Sequence, residues 1–219
     1  MRIWLRIAVH LLAVACFSAA HAGSYEDFFS AVKQDNGRSV ATLLQRGFDP
    51  NTLDPKGAHA LWIAVNEPAP KVANVLIEWP KTNVDWRNAK DESPLMLVCL
   101  KGETEMAKRL VARGADVNKT GWTPLHYAAT KGHVAIMEML LENHAYIDAE
   151  SPNGTTPLMM AAHYGSLAAV KLLLEAGADP RPKNQLGLTA IDFANGASRS
   201  EAAEAIASTI RSKSGKGKW

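Results

Sequence analysis

The sequence predicts an all-α protein, a solenoid of helix–turn–helix units, and the main reason is a segment that recurs along the chain. The segment GWTPLHYAATKGHVAIMEMLL at residues 121–141 aligns without a gap with GTTPLMMAAHYGSLAAVKLLL at residues 154–174. Related segments start near residues 58, 92 and 188. Successive anchor positions are spaced by 34, 30, 33 and 33 residues; the anchors are His59, Ser93, Thr123, Thr156 and Thr189. Repetition at this period indicates a stacked array rather than one globular core around a single cleft.

Each element of the unit has its own local signal. Thr123 is a favourable helix N-cap, and Pro124 suits the first helical position, where a missing N–H costs nothing. A pair of alanines in the first helix lets neighbouring helices approach closely, and Gly132 ends that helix as a left-handed C-cap. Ile136 and Leu140 belong to an apolar face on a second helix. One such unit cannot bury its own apolar face, so neighbouring units must stack on it.

These residues resemble the ankyrin repeat family. The matching motifs are Thr-Pro-Leu-His at 123–126, Gly-Ala-Asp-Val-Asn at 114–118 and Gly-Ala-Asp at 177–179. The resemblance covers about residues 25–211. It implies helix–turn–helix units joined by short β-hairpin loops, which act together as a scaffold for binding proteins.

The repeat pattern predicts one continuous domain over residues 23–211, closed by a more polar unit at each end. We expect an N-terminal cap at 24–51, repeats at about 54–85, 89–118, 119–148 and 152–181, and a C-terminal cap at 185–211. The final segment, 212–219, is basic and of low complexity, and we expect it to be disordered. A weak contact of this tail with a membrane or an acidic partner is a secondary hypothesis.

The N-terminal segment, residues 1–22, is typical of a secretory signal peptide. A basic start is followed by an apolar run that is too short to span a membrane, and Ala20-His21-Ala22 forms a small-x-small cleavage site. Cleavage after Ala22 predicts a secreted, periplasmic protein without an integral membrane span. The alternative is a lipoprotein signal that uses Cys16, although a leucine is expected where Ala13 stands.

Composition argues against several classes of function. The chain has 24 basic and 22 acidic side chains, and removal of the two arginines of the leader leaves 22 of each, which disfavours a nucleic-acid-binding protein. Cys99 becomes the single cysteine, so no internal disulfide is expected, and it is interpreted as a small buried side chain. The histidines are scattered over different repeats, and no phosphate loop or nucleophile motif is present. The sequence therefore predicts neither a metal nor a cofactor nor an enzyme.

The histidines of the repeated segment are interpreted as structural. We expect His126 to bond back into the turn that Thr123 caps, and His133 to cap the second helix. Trp62 occupies the position of His126 in an irregular repeat, where we expect it to be a core residue. The link at Lys119-Thr120 lacks three residues present in the next repeat, which predicts a shortened hairpin and a notch.

The ankyrin resemblance implies a concave binding face formed by hairpin tips and by the exposed side of each first helix. Carried over by position, the partner-binding residues are Trp86, Glu92, Lys101, Trp122, Thr130, Lys131, His163 and Tyr164. Trp122, Lys131, His163 and Tyr164 are expected to form an aromatic and cationic hot spot, which would suit an acidic loop or helix. The alternative for each tryptophan is that it packs on the neighbouring hairpin.

The leading functional hypothesis is a monomeric, secreted binding module that holds one partner protein. A secreted toxin, in an immunity role, or an envelope enzyme would be a suitable partner, and periplasmic ankyrin proteins resembling this one are connected with peroxide defence. The alternatives are a structural spacer without a specific partner and, less favoured, an enzyme. The sequence does not identify the partner.

Overall fold

A computed structural model describes residues 23–215 of the protein, and the regular elements in this range are α-helices. The described residues contain no strand, only an isolated bridge between Leu53 and His59. The expected all-α architecture of helix–turn–helix pairs is thus confirmed. The predicted signal peptide at 1–22 and the tail residues 216–219 lie outside the described residues. The chain divides into two compact units, one that ends at Asn83 and one that begins at Val84.

The first unit contains two helix pairs. Its helices are α1 (23–33), α2 (Gly37–Gln45), α3 (Ala60–Asn66) and α4 (Pro70–Glu78). Asn36 caps α2 by accepting a hydrogen bond from the Ser39 amide at 3.1 Å, as expected for an Asn at this position. Asp35 accepts from the Val72 amide at 2.9 Å, which joins the turn of the first pair to the start of α4.

The core of the first unit is aromatic at one end and aliphatic at the other. Phe28 is fully buried and stacks on Phe48 with ring centroids 4.4 Å apart. Leu61 is fully buried in α3, and Ile63 is buried as well. Trp62 is only half-buried, so its prediction as a core residue was wrong. Successive helix residues point about 100° apart, and Trp62 lies at the margin of the face that its two neighbours bury.

The second unit contains four helix pairs. The first helices of these pairs are α5 (Pro94–Lys101), α7 (Pro124–Lys131), α9 (Pro157–His163) and α11 (Ala190–Gly196). The second helices are α6 (Thr104–Ala112), α8 (Val134–Glu142), α10 (Leu167–Glu175) and α12 (Ser200–Gly215). First helices pack on first helices and second helices on second helices, so the unit has two layers.

The first helices of the second unit begin and end where the sequence signals lie. Ser93 and Thr156 each accept a bond from the amide three residues later, both at 3.3 Å, and a proline follows each of them. Gly102 and Gly132 end α5 and α7 in the left-handed conformation, with φ of 80° and 69°. Gly165 has a different role, because a Cβ there would lie 2.4 Å from the Ala129 carbonyl oxygen. Glycine at this position lets α9 approach α7.

Short loops, here called fingers, lead into the first helices at residues 54–58, 88–92, 151–155 and 184–188. Each is closed by a backbone bond between its ends, for example from the Asn88 amide to the Glu92 carbonyl at 3.1 Å. The Asn88 side chain also accepts from the amides of Lys90 and Glu92, at 2.9 and 3.0 Å. This side-chain turn replaces a longer hairpin ladder.

Helix α12 continues to Gly215, beyond the predicted start of the disordered tail at residue 212. The Ser212 hydroxyl donates to the Thr209 carbonyl at 2.9 Å, and Arg211 pairs with Glu204 at 2.5 Å. Lys213 reaches the Ala178 carbonyl at 3.4 Å. These contacts extend the helix and attach it to the preceding repeat.

Candidate functional site

His126 is part of the architecture of the second unit. Its Nδ1 accepts from the Thr123 amide at 3.1 Å, so in the neutral ring Nε2 carries the proton and donates to the Thr155 carbonyl at 2.9 Å. The side chain is fully buried, and this burial lowers its pKa from 6.5 to about 4. A neutral histidine therefore joins the helix start of one repeat to the finger of the next. The structural interpretation of His126 is confirmed.

His133 joins repeats as well, but it does not cap its helix. It precedes α8 at the N-cap position without a capping bond from its side chain. Its Nε2 lies 3.2 Å from the Leu100 carbonyl, and a Cβ on Gly102 would lie 2.6 Å from its ring. Ser166, at the same position one repeat later, does cap, since its hydroxyl accepts from the Ala169 amide at 3.1 Å. The expectation that His133 caps was wrong for its side chain, because the ring lies at the Leu100 carbonyl and beside Gly102 of the preceding repeat.

All the predicted partner-binding residues belong to the second unit, and all of them retain some solvent exposure. The exposed ones are Lys101, Lys131 and Tyr164; the half-buried ones are Trp86, Glu92, Trp122, Thr130 and His163. Tyr164 keeps 56% of its surface accessible.

Tyr164 belongs to an aromatic group that crosses two repeats. Its ring centroid lies 4.2 Å from that of His163, which in turn lies 5.9 Å from that of Phe193. His163 Nδ1 lies 3.1 Å from the Phe193 carbonyl, and because a carbonyl only accepts, Nδ1 donates. The imidazole is fixed between α9 and α11, and it holds the exposed tyrosine beside it.

Trp122 packs within its own repeat. Its ring meets His126 edge to face, with centroids 5.2 Å apart and an interplanar angle of 73°. One part of the indole is therefore immobilised on the buried histidine while the remainder is accessible. Thr130 uses its hydroxyl inside α7, where it donates to the His126 carbonyl at 2.7 Å.

The acidic residues of the finger at 88–92 are engaged internally. Glu92 accepts from the Tyr127 hydroxyl at 3.0 Å and from the Asn88 amide group at 2.7 Å. Burial, reinforced by the negative charge of Glu92, raises the pKa of Tyr127. Neither partner of Glu92 was foreseen from the sequence, because both bonds depend on how the finger folds over α7.

Lys119 and Asp91 form an ion pair that sequence reasoning missed. Lys119, in the shortened link, has a side chain only 5% exposed and pairs with Asp91. Arg87 lies 3.3 Å from the same carboxylate. The hydrogen bond from Lys119 is the main cause that holds the pKa of Asp91 below its usual range, and the contact with Arg87 adds to it. Asp91 has a φ of 61°, at the finger position that Gly154 occupies with a φ of 74°. The sequence signal for this pair was an aspartate at the finger position where the other fingers have glycine.

A row of half-buried side chains on the first helices was also missed. In α5, α7 and α9 the fourth and seventh residues are only partly covered, whereas the two residues between them are buried; in α11 the fourth residue is partly covered. We call this row the first-helix strip; it consists of Leu97, Leu100, Tyr127, Thr130, Met160, His163 and Phe193. Thr130 and His163 were among the predicted partner-binding residues. Comparing the fourth position of every first helix would have revealed Leu97, Tyr127, Met160 and Phe193.

The remaining features of residues 23–215 are Cys99, the arrangement of possible metal ligands, the length of the helices and an open groove. Cys99 is fully buried, and burial raises the pKa of its thiol, which disfavours a reactive thiolate. Within residues 23–215, no three His, Cys, Asp or Glu side chains are arranged to hold a metal ion. None of the helices in this described range combines the length and the apolar character that crossing a membrane requires. An open groove of about 660 Å³ lies between α10 and α12, lined in part by Lys171, Glu201 and Glu204.

Comparison with known proteins places these features in context. Sequence models of ankyrin repeats match residues 61–151, as three copies, and residues 144–194, as many copies. The chain is 34% identical over 161 residues, 70% of its length, to the nuclear factor NF-kappa-B p105 subunit of Gallus gallus. It is 31% identical over 122 residues, 53% of its length, to the transient receptor potential cation channel subfamily A member 1 of Homo sapiens. These matches span only 16% and 11% of the two relatives.

A solved structure has the same fold. The crystal structure of an ankyrin repeat domain from Acinetobacter baumannii AYE superimposes with a TM-score of 0.74. The match covers 82% of this chain and 95% of that domain, at 24% sequence identity. At this identity the likeness establishes the fold alone.

Proposed function

Since the chain belongs to the ankyrin-repeat family, we propose that it is a protein-binding module that holds one partner protein on the first-helix face of its second unit. Ankyrin repeats are typical protein-interaction modules. The observation that carries the proposal is Tyr164, an aromatic side chain that is 56% exposed and yet held in place by His163. Rigid, accessible aromatics are the residues that dominate interface energies.

Trp122 supplies a second anchor on the same unit. Its contact with His126 fixes the indole, so little conformational entropy is lost when a partner covers the accessible remainder. Lys131 adds an exposed positive charge at the end of α7. Trp122, Lys131, His163 and Tyr164 thus remain the proposed hot spot, with Trp86, Glu92, Lys101 and Thr130 at its margin.

The proposed location is the periplasm. It rests on the leader at residues 1–22, and the mature chain would begin at Gly23 and act as a monomer. Intact-mass measurement of the secreted protein checks this proposal, since a lipid mass on a chain that starts at Cys16 would identify the lipoprotein route instead. A secreted toxin or an envelope enzyme remains the proposed class of partner.

Capture of the partner tests the proposal against a spacer or an enzyme. The immobilised mature chain is incubated with periplasmic extract of its host, and the captured protein is identified and titrated by calorimetry. Trp122→Ala and Tyr164→Ala should each weaken binding strongly. Glu138→Ala and Lys171→Ala, on the second helices, should leave it unchanged; Lys171 also lines the groove between α10 and α12. Failure of every extract to yield a stoichiometric partner would favour the spacer.

A further inference from the structure

The first-helix strip is mainly apolar and aromatic, and most of its polar groups already have partners inside the protein. The Tyr127 hydroxyl donates to Glu92, the Thr130 hydroxyl donates to the His126 carbonyl, and His163 Nδ1 donates to the Phe193 carbonyl. The surface that stays available to a partner consists mainly of hydrocarbon groups and aromatic rings. The strip therefore offers burial of apolar area much more than it offers hydrogen bonds.

This composition discriminates between the shapes a partner segment could have. An extended peptide brings a row of backbone N–H and C=O groups, and it binds well where the surface supplies partners for them. An α-helix satisfies its backbone internally and presents only side chains. A surface that offers few unbonded polar groups favours the helix.

The spacing of the repeats agrees with a helix laid across them. Packed neighbouring helices lie about 8–10 Å apart, which sets the step from Tyr127 to Met160 and from Met160 to Phe193 along the strip. Seven residues of an α-helix rise about 10.5 Å and return to the same face. One heptad of the partner helix would therefore match one repeat, with an apolar residue over each first helix.

The charge beside the strip indicates which charge a partner segment would carry. Of the acids next to it, Asp91 pairs with Lys119 and Arg87, whereas Glu92 keeps its negative charge and is held inward by hydrogen bonds from Tyr127 and Asn88. Lys131, at the exposed end of α7, has no ion-pair partner within the described part of the chain. The strip is thus bordered by a positive charge that nothing in the repeat compensates.

We propose that the first-helix strip receives an amphipathic α-helix of the partner protein, laid across the repeats with its apolar face on the strip and an acidic flank beside Lys131. This inference rests on the proposed function and specifies the partner's chemistry. It requires a segment with apolar residues at heptad spacing and Asp or Glu next to them.

Two peptide libraries of about three heptads test the proposal. One library has a helix-forming framework with apolar residues at i, i+3, i+4 and i+7, and its flanking positions are random. The other library keeps the same apolar and random positions but carries prolines in its framework, which prevent a helix and enforce an extended chain. Both are selected by display on the immobilised mature chain, and the affinities of the recovered peptides are measured by fluorescence anisotropy.

The proposal predicts that binders come from the helical library and are enriched in Asp and Glu at the flanks. Met160→Asp and Lys131→Glu should each weaken them at least about tenfold, whereas Lys171→Glu on α10 should not. Lys131 is exposed, so its variant keeps the test valid if Met160→Asp fails to fold. Binders from the extended library, a basic flank, indifference to Lys131→Glu or no binders at all would overturn the inference. If any of these occurs while Tyr164→Ala still abolishes capture of the natural partner, the helix is wrong and the proposed function stands.

Discussion

The two units begin their first helices in different ways. In the second unit, Thr123 and Thr156 precede a proline, and short local bonds close the turn. In the first unit, His59 takes this position: its Nδ1 accepts from the Leu61 amide at 3.2 Å, and its Nε2 lies 3.2 Å from Asn51 Oδ1. Asn51 also accepts from the Asn83 amide at 2.7 Å. The starts of α7 and α9 are specified mainly by local signals, whereas the start of α3 is tied through Asn51 to the Asn83 amide.

This difference means that equivalent substitutions should have unequal effects in the two units. Removal of a cap that acts locally costs the folded protein about one hydrogen bond. A side chain that bonds several loops leaves buried polar groups without partners, which costs more. Matched substitutions in the two units separate these two cases.

Substitution of Gly165 should have the largest effect on stability. An added Cβ would lie 2.4 Å from the Ala129 carbonyl oxygen, so α9 and α7 would have to separate. Gly165→Ala should lower the free energy of unfolding by about 3 kcal/mol. In the first unit, Gly37→Ala meets the Lys71 carbonyl oxygen at a less severe 2.9 Å and should cost less.

Gly196→Ala is the matched control, since nothing lies within 4 Å of its added Cβ. It should be neutral or stabilise α11 by up to about 1 kcal/mol, because alanine favours the helix. Urea denaturation compares the three variants. Equal stabilities for Gly165→Ala and Gly196→Ala would contradict the close approach of α7 and α9.

The buried histidines should make stability fall in mild acid. Burial lowers the pKa of both His59 and His126 from 6.5 to about 4. Between these values the unfolded chain binds protons that the folded chain does not, so stability is full above pH 6.5 and is lost as the pH falls towards 4. Each histidine should account for a loss on the order of 2 kcal/mol at pH 5.

His126→Gln tests the contribution of the second unit. Glutamine at this helix position can still reach the N-cap amide, and it does not titrate. The difference in unfolding free energy between pH 7 and pH 5, measured by urea denaturation, should shrink relative to wild type. An unchanged difference would mean that His126 is protonated in the folded protein.

A cap exchange compares the two helix starts directly. His59→Thr installs the residue that the second unit uses, but it removes the contact with Asn51 and leaves space where a fully buried ring was. It should cost about 2 kcal/mol, whereas Thr123→Ala should cost about 1 kcal/mol. Hydrogen exchange at the amides of Leu61 and Tyr127 reports each unit separately. Stabilisation of the first unit by His59→Thr would refute the comparison.

The ion pair at the shortened link should give the smallest effect. Asp91→Gly relieves the left-handed φ of 61° but leaves the covered Lys119 without its carboxylate, for a net loss of about 1 kcal/mol. In a Lys119→Met background the same change should be neutral or stabilising, and a double-mutant cycle measures the difference. Additive effects would show that the pair is not coupled.

Much of the second unit could be predicted from the sequence because its signals are local. Threonine or serine before proline, and glycine after the first helix, mark the boundaries of α5 and α7 within each repeat. The half-buried position of Trp62 could not be predicted in this way, since it depends on how α3 packs.

The candidate site was only partly foreseen for a similar reason. Tyr164 and Lys131 are exposed as expected, because the ends of the first helices follow from the repeat register. The pairing of Lys119 with Asp91 joins two loops of different length, and their separation follows from folded geometry alone. The strip positions Leu97 and Met160 look like ordinary core residues in the sequence, and only their partial exposure distinguishes them.

The most direct test of the account compares Tyr164→Ala with His126→Gln, using the captured partner in calorimetry and a thermal melt of each variant. Tyr164 is proposed as an exposed anchor and His126 as a buried brace between repeats. We predict that Tyr164→Ala weakens binding by about 2 kcal/mol, roughly 30-fold, with the melting temperature nearly unchanged. His126→Gln should lower the melting temperature and keep wild-type affinity at a temperature where the protein is folded. The opposite result, with affinity lost only in His126→Gln and its melting temperature unmoved, would contradict the account.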